Sequence, residues 1–155
     1  MNQLETMLPK LNEILNPYRS NPEALIPVLQ EVQEVFGYIP PETMPHIAES
    51  LKLFPSQVQG VITFYSQFYT YPRGKNIVTV CRGTACHVRG GTGVLRVVQR
   101  ELNLKDGETS PDYNFTLETV ACLGACAQAP VMVVNRNYYG KMNPKKIETI
   151  LNSYR

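Results

Sequence analysis

The four cysteines of this sequence fall into two closely spaced pairs. Cys81 and Cys86 have four residues between them. Cys122 and Cys126 have three residues between them, and 35 residues separate the two pairs. Two tetrahedral irons bridged by two sulfides need four protein ligands, two at each iron, and two pairs of thiolates meet that need. The spacing therefore favours one [2Fe–2S] cluster held by all four cysteines.

Two other uses of the cysteines stay open on spacing alone. A structural zinc site also takes four thiolates, although its cysteine pairs more often span two residues than three or four. In that case the protein would be a zinc-stabilised adaptor with no redox role. Two disulfides or a redox-active dithiol are less favoured, because neither pair has the C-x-x-C spacing of oxidoreductases.

Each cysteine pair begins where a predicted strand ends. The β-branched run at residues 77–80 leads to Cys81, and the alternating run at residues 115–119 leads to Cys122. A helix is predicted between these strands, from the apolar residues at 94, 95, 98 and 102. If the two strands are parallel, both cysteine loops lie at one edge of the sheet, where α/β folds usually place ligands.

The remaining elements indicate an α/β protein that follows a helical segment. A strand at residues 131–134, a turn with a partner strand near residues 138–139, and a helix capped by Asn143 give a β-α-β-β-α order, an α/β sandwich. Before residue 71 the apolar residues repeat at helical spacing in four stretches, which predicts a small helical bundle. We therefore expect two domains, 1–72 and 73–155.

Composition excludes several classes of function. Of the 155 residues, 43% are apolar and 18% are charged, so the chain can bury a core without disulfides. A net charge of +2 gives no argument for binding nucleic acid or a membrane surface. The first residues contain no apolar run long enough for a signal peptide or a membrane span, so we expect a cytoplasmic protein with reduced thiols and no membrane insertion.

The cysteine segments VCRGTACHVRG and VACLGACAQAPVMVVN resemble those of the thioredoxin-like [2Fe–2S] ferredoxins, especially the NuoE-type subunit of NADH-oxidising modules. The resemblance extends upstream through LIPVLQEVQEVFGYIP and GVITFYSQFYTYPRGK, and so covers nearly the whole chain. It implies a thioredoxin-like fold after the helical bundle. It also implies that Cys81 and Cys86 bind one iron and that Cys122 and Cys126 bind the other.

The resemblance further implies a function and partners. The chain would be a non-catalytic electron-transfer subunit of a complex I-type enzyme, an NAD-linked hydrogenase or a formate dehydrogenase. Its partners would be an FMN-containing NAD(P)H-oxidising subunit and further iron–sulfur subunits. Residues 60–69 are apolar and aromatic on more than one helical face. Together with the resemblance, this predicts that the helical domain and the loops near the cluster dock to that partner. His87 follows Cys86 directly, and we expect it outside the ligand set; Arg82 and Arg89 could offset the negative charge of the cluster.

Overall fold

The computed structural model describes residues 3–155, which form two compact units. The first unit ends at Pro72 and the second is Arg73–Arg155. Residues 1 and 2 of the predicted first domain lie outside the described residues. None of the helices within residues 3–155 has both the length and the apolar character needed to cross a bilayer.

The first unit is built from four α-helices, and short 3-10 turns lie in the first two of the three connections. The helices are α1 (Gln3–Leu15), α2 (Leu25–Phe36), α3 (Met44–Leu51) and α4 (Pro55–Phe64). Their apolar stripes meet in one core, whose fully buried members are Leu11, Val28, Leu29, Val32, Ile39, Ile47, Leu51 and Val58. The predicted helical bundle is therefore present in this unit.

Local sequence signals set the ends of these helices. α2 ends at Gly37, whose φ of 80° lies in the left-handed region and whose N–H donates to the carbonyl of Gln33. α4 begins at Pro55, which lacks the N–H that a first helical residue leaves unpaired. The side chain of Gln57 reaches back to accept the N–H of Phe54 at 2.9 Å, which caps the same end.

The second unit contains a four-stranded mixed sheet. Its strands are β1 (Asn76–Cys81), β2 (Phe115–Val120), β3 (Met132–Val134) and β4 (Asn137–Tyr139), in the order β2-β1-β3-β4. β1 and β2 are parallel, whereas β3 runs antiparallel to both β1 and β4. The two strands that lead to the cysteine pairs are therefore parallel, as the sequence-based prediction of a shared sheet edge required.

Helices cover one face of this sheet. They are α6 (Gly91–Leu102) and α7 (Pro144–Asn152), whereas the one-turn helix α5 (Thr84–Val88) lies between β1 and α6 in the chain. α6 makes the crossover that parallel strands require, and it packs with α7 over buried strand residues that include Val78, Val80 and Leu117. Asn143 caps α7 as predicted, accepting the N–H of Lys146 at 3.0 Å. The predicted α/β class is confirmed, with the one-turn helix α5 as an element that the sequence pattern did not indicate.

Candidate functional site

Parallel pairing of β1 and β2 brings the two cysteine segments to one edge of the sheet. Cys81 is the last residue of β1 and lies opposite Val120, the last residue of β2. Cys122 follows two residues later. Because parallel strands end on the same side, the two segments leave the sheet together.

All four cysteines line one open cavity of about 680 Å³ at this edge. The other lining residues are small or apolar with the exception of one arginine: Gly83, Thr84, Ala85, Val88, Arg89 and Ala121. The structure therefore brings together every residue that the sequence singled out as a candidate ligand. Within residues 3–155, no group of three or more His, Cys, Asp or Glu side chains is placed to hold a single metal ion.

Cys86 lies in a helix rather than in the loop that we expected from the sequence. After β1 the chain turns at Gly83, where a Cβ atom would lie 2.8 Å from the carbonyl oxygen of Ala121. α5 then begins, and the N–H of His87 donates to the carbonyl of Gly83 at 2.8 Å. This single turn directs Cys86 back toward Cys81. A helix of one turn is too short to give an apolar repeat, which is why the pattern missed it.

The second pair is held by a tight turn. The sulfur atoms of Cys122 and Cys126 lie 3.9 Å apart, and the N–H of Gly124 donates to Cys122 Sγ at 3.3 Å. Gly124 has a φ of 75°, a left-handed conformation that glycine adopts without strain. Cys126 then opens a short 3-10 turn, Cys126–Gln128. Both cysteines are exposed.

The two pairs differ in burial. Cys81 and Cys86 are only 4% and 2% exposed, and they pack with Ala129 and Val131 in a small apolar cluster. Cys122 and Cys126 lie on the solvent side of the cavity. A group bound here would thus have one side in protein and one side accessible to a partner. Sequence reasoning did not assign Ala129 and Val131 to the site, although the run that contains them belongs to the second cysteine segment.

The protonation behaviour of the thiols reflects their crowding. Burial alone would raise the pKa of Cys81, but hydrogen bonds, first among them one from the backbone of Gly83, bring that pKa below its ordinary value. The pKa of Cys86 is raised, by burial and by its hydrogen bond with Cys81. The pKa of Cys126 is raised by its hydrogen bond with Cys122 and by the charge of that neighbour. The neighbouring thiols thus favour the thiolate at Cys81 and oppose it at Cys86 and Cys126. A bound metal cation would stabilise all four as thiolates. The donor set fits an iron–sulfur cluster.

The charged residues beside the cysteines take different positions. Arg89 lines the cysteine cavity, whereas Arg82 lines two neighbouring cavities. His87 is exposed, and its Nδ1 lies 3.2 Å from the hydroxyl oxygen of Thr92. It lines a neighbouring cavity and is absent from the set of residues that lines the cysteine cavity. That His87 stands outside the ligand set stays a prediction.

Gly91 offers a test of the packing that positions Cys86. A Cβ atom on Gly91 would lie 2.7 Å from the carbonyl oxygen of Cys86, so the turn that bears this cysteine would have to move. We expect Gly91→Ala to cost about 1–3 kcal/mol of stability and to lower the amount of bound cluster per chain. Urea unfolding and the visible absorbance per chain measure the two effects.

Gly93 supplies the matched control for that prediction. It lies in the same helix, but a Cβ atom there would meet nothing within 4 Å. Gly93→Ala should therefore keep the visible absorbance and stabilise the helix by about 0.5–1 kcal/mol. Equal behaviour of the two variants would show that the contact between Gly91 and Cys86 does not position the site.

Known proteins match the chain over most of its length. The model of the family described as thioredoxin-like [2Fe–2S] ferredoxin matches residues 11–155. The chain is 36% identical to HndA, a subunit of the NADP-reducing hydrogenase of Solidesulfovibrio fructosivorans, over 94% of this chain and 87% of that protein. It is 35% identical to the E subunit of the NADH-quinone oxidoreductase of Aquifex aeolicus, over 97% of this chain and 94% of that protein.

A solved structure shares the fold. An NAD⁺-reducing [NiFe]-hydrogenase in the air-oxidised state matches 84% of this chain with a TM-score of 0.72 at 15% sequence identity. The match covers 22% of that hydrogenase chain, so the present chain spans about a fifth of its length. At this level of identity the likeness concerns the fold alone.

Proposed function

Because the chain belongs to the family of thioredoxin-like [2Fe–2S] ferredoxins, we propose that it is an electron-transfer subunit whose four cysteines bind the cluster. The resemblance expected from the two cysteine segments is thereby confirmed, and a [2Fe–2S] cluster is the cofactor. The observation that supports the choice of ligands is the single cavity lined by Cys81, Cys86, Cys122 and Cys126. We assign the first two to one iron and the last two to the other.

The residues around the cavity define what the chain contributes. When bound, the cluster accepts and releases one electron at a time. The buried thiols of Cys81 and Cys86 and the exposed thiols of Cys122 and Cys126 would hold it. Backbone N–H groups such as that of Gly124 donate to sulfur and stabilise its negative charge. No bond-making step is assigned to this chain, so its role in an oxidoreductase is non-catalytic.

The names of the relatives support a role in a larger assembly. HndA is a subunit of an NADP-reducing hydrogenase, and the Aquifex aeolicus relative is a subunit of an NADH-quinone oxidoreductase. Both are subunits of oxidoreductases that use a nicotinamide. We propose that the present chain exchanges electrons with an FMN-containing NAD(P)H-oxidising subunit, alongside further iron–sulfur subunits, in the cytoplasm.

Within this proposal the first unit is a docking domain. Phe64 and Tyr65, at the end of α4, are 80% and 38% exposed, and their ring centroids lie 5.0 Å apart. Tyr65 also contacts the ring of the buried Phe68, at 6.2 Å. An aromatic row that runs from the core to the surface offers a rigid apolar contact, which is typical of protein interfaces.

The cofactor can be tested on the purified full chain. After anaerobic preparation we expect about two irons and about two acid-labile sulfides per chain, reduced by one electron. Iron and sulfide analysis with a reductive titration in the visible range measures this. A colourless protein that holds stoichiometric zinc and no sulfide would instead identify the zinc-stabilised adaptor and would overturn the proposed electron transfer.

A further inference from the structure

The turn between Cys122 and Cys126 keeps both of these thiols on its solvent side. Leu123 and Ala125 are half-buried and pack against the small apolar cluster of the buried cysteines. Cys122, Gly124 and Cys126 are exposed. Residues that face inward therefore alternate with residues that face solvent, so the two cysteines are held on the same side of the turn.

The two sulfur atoms of this turn need only a small movement to form a bond. They lie 3.9 Å apart, and the sulfur atoms of a disulfide lie about 2.05 Å apart. Residues 121–125, which lie within the described part of the chain, belong to no helix or strand. The remaining approach of about 2 Å therefore needs rotation of two exposed side chains and a small shift of the turn, while the sheet stays in place.

The buried pair has less freedom and less access to solvent. Cys81 is the last residue of β1, and its N–H donates to the carbonyl of Val131 at 3.2 Å. Cys86 lies in α5 and is packed closely against Gly91. Thiol–disulfide exchange requires a thiolate to reach the sulfur that it attacks, so burial slows the reaction. A dissolved disulfide therefore reacts with the exposed pair first.

We propose that, before the cluster is inserted, a small disulfide such as oxidised glutathione converts Cys122 and Cys126 into an intrachain disulfide, which blocks cluster assembly until it is reduced. First, one of the two thiolates attacks the small disulfide, forms a mixed disulfide and releases one small thiol. The other cysteine then attacks the protein sulfur of the mixed disulfide and releases the second small thiol. Two cysteines are thus oxidised, one small disulfide is reduced to two thiols, and the two cysteine protons pass to the released sulfurs.

The disulfide and the cluster exclude each other. This part of the inference rests on the proposed function, in which all four thiolates are ligands. Because metal binds the thiolate form of cysteine, the oxidised chain keeps only its two buried donors. A two-electron thiol–disulfide reduction must therefore precede cluster insertion in any chain that has met such an oxidant. Thiolates that are coordinated in the loaded chain are not available for exchange, so the cluster protects the pair.

The experiment uses the full chain, freed of iron with a chelator, reduced, desalted anaerobically and incubated with oxidised glutathione. Trypsin cuts after lysine and arginine, so Cys122 and Cys126 stay together in peptide 106–136, whereas Cys81 and Cys86 fall in peptides 76–82 and 83–89. Remaining thiols are alkylated, and mass spectrometry of the unreduced digest identifies which cysteines are joined. We expect peptide 106–136 to lose the mass of two hydrogens at least about tenfold faster than either other peptide reacts.

Two alanine variants separate an intrachain bond from simple modification of an exposed thiol. Cys126→Ala removes the second attacking sulfur, so Cys122 should stop at the mixed disulfide with glutathione. Cys86→Ala is the matched control, because it removes a buried cysteine and should form the same bond within peptide 106–136 as the wild-type chain. In the wild-type chain that carries the cluster, all four cysteines should stay unmodified under the same treatment.

Cluster assembly is then compared between the oxidised chain and the same sample after dithiothreitol treatment and desalting. Both receive iron and about two equivalents of sulfide, because a larger excess of sulfide would itself cleave the disulfide. We expect the initial rise of visible absorbance to be at least about tenfold slower in the oxidised chain, with full recovery after reduction.

Three results would overturn the inference. The digest could join peptide 76–82 or 83–89 to peptide 106–136, the wild-type chain could form only mixed disulfides, or the oxidised chain could assemble the cluster as fast as the reduced chain. Failure of the proposed function is a different result, in which the reduced chain takes up no iron and sulfide. The claim about assembly is then wrong as well, while the digest still decides whether the disulfide forms.

Discussion

Alanine in place of Cys81, Cys86, Cys122 or Cys126 is expected to abolish or seriously disturb the cluster. Each change removes one of the four proposed ligands, and the sequence has no further cysteine to replace it. Bound iron should fall from about two atoms per chain toward none, with loss of the visible absorbance. Iron and sulfide analysis of anaerobically purified variants measures this effect.

The four variants differ in whether the replaced cysteine is buried or exposed, and the exposed pair serves as an internal control. Cys81 and Cys86 are buried, so their replacement also costs packing energy in the protein without metal, on the order of 1 kcal/mol. Cys122 and Cys126 are exposed, so their replacement should leave the stability of the metal-free protein unchanged. If Cys122→Ala loses the cluster while the metal-free protein keeps its free energy of unfolding, the loss is due to the missing thiolate ligand alone.

His87→Ala is the matched substitution beside the ligands. The side chain is exposed and outside the cysteine cavity, so we expect the cluster to assemble with at most a shift in its potential. The proposed ligand set would be refuted if His87→Ala lost the cluster while Cys86→Ala retained it.

Phe64→Ser combined with Tyr65→Ser is expected to release the chain from the proposed FMN-containing partner while leaving the cluster in place. Both side chains are exposed at the end of α4, so the first unit should keep its core. Truncating a central aromatic contact of an interface typically costs about 2 kcal/mol or more, which corresponds to at least about thirtyfold in affinity. Co-purification and titration with the FMN protein measure the loss.

Tyr138→Ser tests whether any exposed aromatic has this effect. Tyr138 is 56% exposed and lies in β4 of the second unit. We expect this variant to bind the partner normally.

Removal of residues 1–72 should abolish partner binding as the double variant does, while the second unit, which has its own core, still binds iron. Unchanged co-purification of the truncated chain would refute the docking role of the helices.

Long amphipathic elements of the fold were predictable because they bury one face. The repeats that predicted α2 and α3 place Val28, Leu29 and Ile47 in the core of the first unit, as the helical period requires. The Asn143 cap of α7 was equally predictable, since a cap depends on residues close in sequence. α5 was missed because five residues do not complete a repeat.

The sequence by itself determined the chemical groups available to this protein: four cysteine thiols, their grouping in two pairs, and the strands that precede each pair. Those features depend on residue type and short spacing, which can be read directly from the chain. Only the tertiary structure decided that β1 and β2 are parallel, that α5 directs Cys86 back to Cys81, and that one pair is buried and the other exposed. It also decided that Arg82 and Arg89 lie beside the cysteines at one edge of the sheet. These facts depend on contacts between residues far apart in sequence. Such contacts form, and contribute their free energy, only when the sheet and its helices pack together.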